Sequence, residues 1–318
     1  VGTDPLVELD NRFGDITIGT WDENAVSLEA KVLVEGMVEQ LVIDQIKLIT
    51  VDIKGSRDAV SMTTEIENIK QGKWNSNKKI EYRIDYSVNM PASARLDLEN
   101  KYGDVLLESI NGTCKIKVNY GALHAENLTS RLNKIELNYA RGSDIENMDF
   151  GKVILSYSDL EIDNAQSIEV QAKYSDLEID NIESMTYFGR YDKLDIKHVT
   201  EATINSKYST VKIDEVGTQL LADIEYSNLI VDHVKPGFEK VQVQNSYGPV
   251  NIGFNSEASF AFTTSGKYCG VACPEKATYT NKTKDSKGLL YEGYVGNGTS
   301  ESLVDVESSY GSVKLKVD

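Results

Sequence analysis

Four sets of side chains in this 318-residue sequence have the types and spacing to do chemistry. In the first, Glu108, Glu126, Asp163, Asp180, Lys197, Asp214 and Asp232 each stand six residues after a tyrosine. Carboxylates held close together repel, and a hard divalent cation such as Ca2+ bound through their oxygens relieves the repulsion. Asp163, Asp180, Asp214 and Asp232 are the candidate ligands. Against them, Lys197 interrupts the line, the glycine-rich nonapeptide of calcium-binding repeats is missing, and turn aspartates bonded to their own backbone explain the same pattern, Asp159 and Asp176 included. The expectation is therefore no metal and no cofactor, with those four aspartates as the residues to watch.

The second set, His198, Glu215 and His233, stands seven residues after successive tyrosines. On adjacent strands the two histidines would lie two strand spacings apart, about 10 Å, too far to share one zinc ion at about 2 Å per ligand. The third set is Cys269 and Cys273, in a turn context that permits a local disulfide; a lone C-x3-C lacks the second ligand pair of a zinc site. Cys114 falls in an apolar column and packs as a small hydrophobe. The fourth is the tyrosines, 17 of them against seven phenylalanines and two tryptophans. A column of rings is either a platform for sugars or a ladder in which the rings satisfy one another, and the regularity of the spacing favours the ladder.

These residues must be positioned by a repeat. Residues 155–181 write Tyr-Ser-Asp-Leu-Glu-Ile-Asp-Asn twice, 17 positions apart. The tyrosines Tyr102, Tyr120, Tyr139, Tyr157, Tyr174, Tyr191, Tyr208, Tyr226 and Tyr247 follow at intervals of 18, 19, 18, 17, 17, 17, 18 and 21 residues. Positions three and five after the tyrosine are apolar (Leu160 and Ile162, Leu177 and Ile179, Leu194 and Ile196), and alternation resumes before the next tyrosine at Val170 and Ala172. Period-two alternation marks strands, and the change of parity across Ser-Asp or Gly-Asp marks a turn. A unit of about 18 residues is then one coil of an all-β parallel β-solenoid, with at least two short strands per coil, stable only when stacked. Burying about six apolar side chains per coil contributes on the order of 10 kcal/mol, which the ordering of its residues roughly cancels.

Three segments follow: 1–92, an opening coil around Phe13 with a β-rich cap and a short helix in 35–48; 93–254, the repeats; and 255–318, a degenerate copy at Tyr268, a Lys/Thr/Gly/Asn-rich stretch with the freer rings Tyr291 and Tyr294, and a closing copy at Tyr310 that caps the stack. A polar loop is expected at 71–79.

A formal charge of −17 opposes binding to nucleic acid or anionic lipid. No run of about 18 apolar residues is present, so no transmembrane helix is expected. A chain beginning at Val1 fits a trimmed, exported form. Nucleophile elbows, phosphate loops and dinucleotide fingerprints are missing, and no cluster of Arg or Lys of the kind an acidic-polysaccharide lyase needs stands out. With 50 acidic residues, pairs of carboxylates discriminate nothing.

Asn-Lys-Tyr-Gly-Asp-Val at 100–105, the Tyr-Ser-Asp-Leu copies, Asn-Arg-Phe-Gly-Asp-Ile near the start with Trp21 after it, and the late Tyr-Gly-Ser-Val resemble the putative-adhesin β-solenoid family of Bacteroidetes cell-envelope proteins, related to auto-transporter adhesin heads. The resemblance implies an exported periplasmic, outer-membrane or surface protein with an adhesive role and carries no catalytic residues. The expected function is non-enzymatic binding of a glycan or an envelope protein. A carbohydrate-active β-helix enzyme, lyase or hydrolase, and a ligand-free structural spacer are the alternatives; the oligomeric state stays open.

Overall fold

The computed structural model describes residues 1–2, 4–67, 80–286 and 288–318; the loop expected at 71–79 lies outside them. The described chain is nearly all strand, mostly in parallel pairs, with a single helix, Glu39–Ile46, inside the span expected for one. It divides into two compact units, Val1–Gly151 and Lys152–Asp318.

In the first unit, strand Leu6–Arg12 pairs in parallel with Arg95–Lys101, which pairs with Cys114–Asn119, which pairs with Asn133–Asn138. A second column runs from Ile16–Trp21 through Val105–Leu107 to Leu123–Leu128. The first coil is not the outermost. Ala59–Ile66 and Ile80–Pro91 add parallel rungs on its far side. Antiparallel strands, Ile49–Gly55 and Ser27–Gly36, close those two columns. An antiparallel strand with charged residues breaks the pattern that a further copy would extend, which is how a sheet edge is blunted.

The second unit carries the most regular rungs. Asp159–Lys173, Asp176–Arg190, Lys193–Lys207 and Thr210–Glu225 pair in parallel with Leu160, Leu177, Leu194 and Val211 side by side. Each is a single strand of 15 or 16 residues where the sequence suggests two short ones. Buried positions change parity inside it, at Ile162, Ala165 and Ile168, so the strand bends twice without breaking its ladder. Leu160, Ile162, Ala165, Ile168, Val170 and Ala172 point inward and stack on their counterparts in the next rung. Longer intervals are absorbed at turns. Gly142 and Gly237, at φ +70° and +76°, take up the extra residues after Tyr139 and Tyr226 in a conformation that suits a residue without Cβ.

One rung departs from sequence order. Leu303–Ser309 and Ser312–Val317 lie between Lys240–Ser246 with Pro249–Phe254 on one side and Phe260–Lys267 with Gly270–Ala272 on the other. The copy at Tyr310, expected to close the stack, is thus an interior rung, and the degenerate copy at Tyr268 lies outside it. Antiparallel strands Leu289–Val295 and Thr278–Lys284 follow Phe260–Lys267.

Every coil turns at its aromatic residue. Phe13 and the ladder tyrosines have φ between +51° and +65°, a left-handed conformation that costs an L-residue about 1–2 kcal/mol. Two interactions offset that cost. The backbone N–H donates to the residue before the next corner, as from Tyr174 to Arg190 O at 3.1 Å and from Tyr191 to Lys207 O at 3.0 Å. The ring stacks on its neighbours with centroids 4.6–5.1 Å apart, each contact worth about 0.5–1.5 kcal/mol. Tyr208, stacked on Tyr191 and Tyr226, provides the test. Tyr208→Phe should leave stability within about 0.5 kcal/mol in denaturant titration, since Phe13 fills the same role. Tyr208→Ala should lose about 1–3 kcal/mol, and Tyr208→Gly less than Ala because glycine relieves the left-handed strain.

Candidate functional site

The tyrosine column is a ladder. In the second unit it runs Tyr157, Tyr174, Tyr191, Tyr208, Tyr226, Tyr247, Tyr310 and Tyr268, with interplanar angles of 3–15°. In the first unit it runs Phe13, Tyr102, Tyr120 and Tyr139, with Tyr82 set edge-on against Phe13. Each interior ring has both faces covered, yet Tyr174, Tyr191 and Tyr208 remain 40–43% exposed, so what they offer is edge and hydroxyl. A sugar cannot stack on a face that another ring occupies. Tyr291, expected to be free, sits edge-on to Tyr279, with the Lys282 ammonium over both rings.

Register assembles something the sequence hides. Lys173, Arg190 and Lys207, each directly before a ladder tyrosine, are paired positions on three successive strands. They form a basic row along the rings: Lys173 Nζ lies 5.6 Å from the Tyr174 centroid, and Arg190 Cζ lies 5.3 Å from that of Tyr191 and 5.9 Å from that of Tyr208. Lys207 pairs with Glu225 at 2.5 Å, and Glu225 ends the row. Among the described residues neither Lys173 nor Arg190 has an acidic partner within ion-pair distance. Residues 17 apart in sequence do not read as a cluster until the rungs are stacked.

On the other side of the rings stands the acidic line. Asp163 and Asp180 fall between registered pairs, Ile162 with Ile179 and Asn164 with Asn181. The line is laced with lysines: Lys197 reaches back to Asp180 at 2.5 Å, and Lys212 pairs with Asp214 and lies 3.8 Å from Asp232. Glu215 accepts Lys235 at 2.6 Å. His198, Glu215 and His233 are in register as the spacing implies, but His233 Nδ1 turns to Asp318 at 3.1 Å. Asp232 and His233 border an open depression of about 480 Å³ with Asn251, Lys314, Lys316 and Asp318. Among the described residues no three or more of His, Cys, Asp and Glu are grouped to hold a metal.

A second assembly lies inside the corner. The residue after the tyrosine is a buried serine at Ser158, Ser175, Ser209 and Ser227. Each of these hydroxyls donates to the carbonyl before the corner, as Ser175 Oγ does to Lys173 O at 3.0 Å. It also accepts the N–H of the preceding rung, as Ser227 Oγ does from Ser209 N at 3.0 Å. Asp192 replaces serine in one rung. Its carboxylate accepts Ser175 N at 2.9 Å, the Arg190 N–H, and the hydroxyl of Tyr187 at 3.2 Å. Tyr187 is fully buried where the adjacent rungs carry Val170 and Ile204, and its ring fits because residue 189 is glycine: a Cβ there would come within 2.2 Å of the ring. Tyr187, Gly189 and Asp192 are one coupled replacement. Burial raises the Asp192 carboxyl to about 6 despite three donors, with Asp176 adding repulsion, and burial likewise drives the Tyr187 hydroxyl upward. The signal was in the sequence, as the one charged residue at a position after the ring that elsewhere is Ser, Gly, Ala or Cys.

Cys114 is buried, and burial holds its thiol up at about 12, so it behaves as an apolar side chain. Cys269 and Cys273 are free thiols rather than a disulfide: Cys269 Sγ faces Ser308 O at 3.6 Å and Cys273 Sγ faces Thr264 Oγ1 at 3.8 Å. Among the described residues no helix is long and apolar enough to cross a membrane.

No family model matches the chain, and no curated protein matches it. Among solved structures, a putative cell adhesion protein from Clostridium sporogenes is similar at 10% identity over 99% of this chain and 93% of its own, with a TM-score of 0.20. A superposition that loose bears on neither fold nor function.

The Asp192 geometry makes a signed prediction. Its folded pKa lies above the usual 3.8, so the stabilisation from holding the proton is complete below about pH 4 and is lost as pH rises through about 6. Between those limits wild-type stability should fall by on the order of 2–3 kcal/mol more than that of Asp192→Asn. Denaturant midpoints from pH 4 to 8 check this, and parallel profiles for the two proteins would contradict it.

Proposed function

We propose that the chain is a β-solenoid with capping segments at 1–92 and 255–318, and that it works as an exported, non-enzymatic binding or adhesion module of the cell envelope. The ligand is a glycan or another envelope protein held along the coil faces. The observation that carries this reading is the half-exposed tyrosine ladder, which repeats one surface group per rung at strand spacing. A periodic surface of this kind suits an extended polymer better than a small substrate, which concave sites enclose. The family resemblance of the Tyr-Ser-Asp-Leu and Tyr-Gly-Ser-Val copies agrees with it.

Incubating the protein with a panel of host and bacterial polysaccharides, while recording both retained protein and newly released chain ends, tests the proposal. Retention without cleavage is the expected result. Release of chain ends, lost when a defined carboxylate is substituted, would instead establish a carbohydrate-active enzyme, and neither signal would leave a spacer.

The reading includes no cofactor. Because Lys197 and Lys212 already neutralise the line that contains Asp163, Asp180, Asp214 and Asp232, added Ca2+ or a chelator should leave the melting temperature and glycan retention unchanged. A calcium-dependent rise in melting temperature, abolished in Asp180→Asn, would reverse that assignment.

A further inference from the structure

We infer that the row formed by Lys173, Arg190 and Lys207 beside Tyr174, Tyr191 and Tyr208 is a docking track for an extended anionic polysaccharide, one acidic sugar per rung. This deepens the binding function proposed above and rests on it.

Three observations carry the inference. First, the row is a local reversal of sign on a chain of formal charge −17. The columns beyond the three rings are mixed, Asp176 beside Lys193, Glu178 and Asp195 beside Lys212, and Asp180 paired with Lys197, while the row itself holds three cations in register. Lys207 is shared with Glu225, whereas the side chains of Lys173 and Arg190 lie beside the rings and, among the described residues, within ion-pair distance of no carboxylate. Both cations lie 5.3–5.9 Å from ring centroids, in register with the ladder.

Second, the period fits. The rings that bracket the row repeat every 4.8–4.9 Å, which is about the length of one pyranose unit in an extended β-linked chain. A polyuronate or sulfated glycan lying parallel to the stack therefore meets one cation, one ring edge and one phenol hydroxyl per sugar. A peptide strand advances about 3.4 Å per residue and falls out of step within two rungs.

Third, the ladder discriminates against the other common polyanion. Single-stranded nucleic acid binds through bases stacked on open aromatic faces, and here both faces of Tyr174, Tyr191 and Tyr208 are covered. A glycan needs only ring edges, hydroxyls and cations.

The test uses the full chain and four immobilised probes: poly-β-1,4-mannuronate, chondroitin sulfate, neutral dextran and a single-stranded oligonucleotide. The anionic glycans should be retained, less so as salt is raised, and dextran and the oligonucleotide should pass through. The triple substitution Lys173→Gln, Arg190→Gln, Lys207→Gln should weaken glycan binding roughly tenfold, as expected for three partly screened surface charges. A control with the same change of net charge at exposed lysines away from the ladder, Lys31→Gln, Lys276→Gln, Lys284→Gln, should bind as wild type does, and unchanged melting temperatures would verify that both variants fold.

Anionic-glycan binding that survives the triple substitution, or that falls equally in the control, would overturn the track and leave the general binding function standing. Dextran or the oligonucleotide held as tightly as the anionic glycans would overturn the ligand class. Retention of none of the polysaccharides by the wild-type chain would overturn the glycan reading together with the track.

Discussion

The left-handed corner is the constraint on which the other features depend. An aromatic residue at φ near +57° would be unfavourable alone, and at corners such as Tyr174, Tyr191 and Tyr208 it is held by a hydrogen bond to one neighbouring rung and by ring stacking. Neither interaction exists within a single coil. The strain is therefore repaid only by stacking, which couples the stability of each rung to its neighbours and makes the array cooperative. The same corner fixes register, because a ring out of line by one residue would lose both neighbours and also turn the apolar side chains outward.

Register in turn creates surface chemistry that is not local in the chain. Columns of like residues are natural products of duplication, and the acidic line is one; left alone they repel, and the lysines at 197 and 212 are the local remedy. The basic row has no comparable neutralisation at Lys173 and Arg190. The buried serine ladder shows the opposite side of the same logic. One rung replaces serine by Asp192, fills the space with Tyr187 and clears room with Gly189, so a single coil carries a polar assembly that its neighbours lack.

Much of this was legible. Tyrosine intervals of 17 to 19 residues gave the rungs, and the apolar positions at three and five after the ring gave the inward columns, because the period of the pattern and of the stack coincide. The apolar column was harder to follow through Tyr139, where an extra residue at Gly142 shifts it by one. The identity of the outermost coils was not legible at either end. Sequence order implies spatial order, yet strands at 59–66 and 80–91 lie outside the first coil, and the rung at 303–317 lies inside the one at 260–272. Hydrophobic alternation is the same for interior and terminal rungs, so nothing local distinguishes them. The basic row escaped for a related reason, since its members are a full turn of the coil apart, whereas Asp192, with Tyr187 and Arg190 close in sequence, reads as an ordinary turn aspartate until its burial is seen.

The out-of-order rung has a kinetic consequence. A stack laid down in chain order can grow and fray one coil at a time from its end, since every rung closes a loop of fewer than 20 residues or so. Here the segment at 260–295 has to wait for a rung supplied from 303–317, or form first and leave a slot one strand wide. Closure of that slot is a late event between two preformed walls, favoured on both sides at once. Unzipping is hindered in the same way, because the exposed coil cannot peel back along the chain without first releasing a rung that it covers. Such a topology is slow to complete, as non-local pairings are, and correspondingly slow to open. Resistance to force or proteolysis then comes from slow opening rather than from a large equilibrium stability.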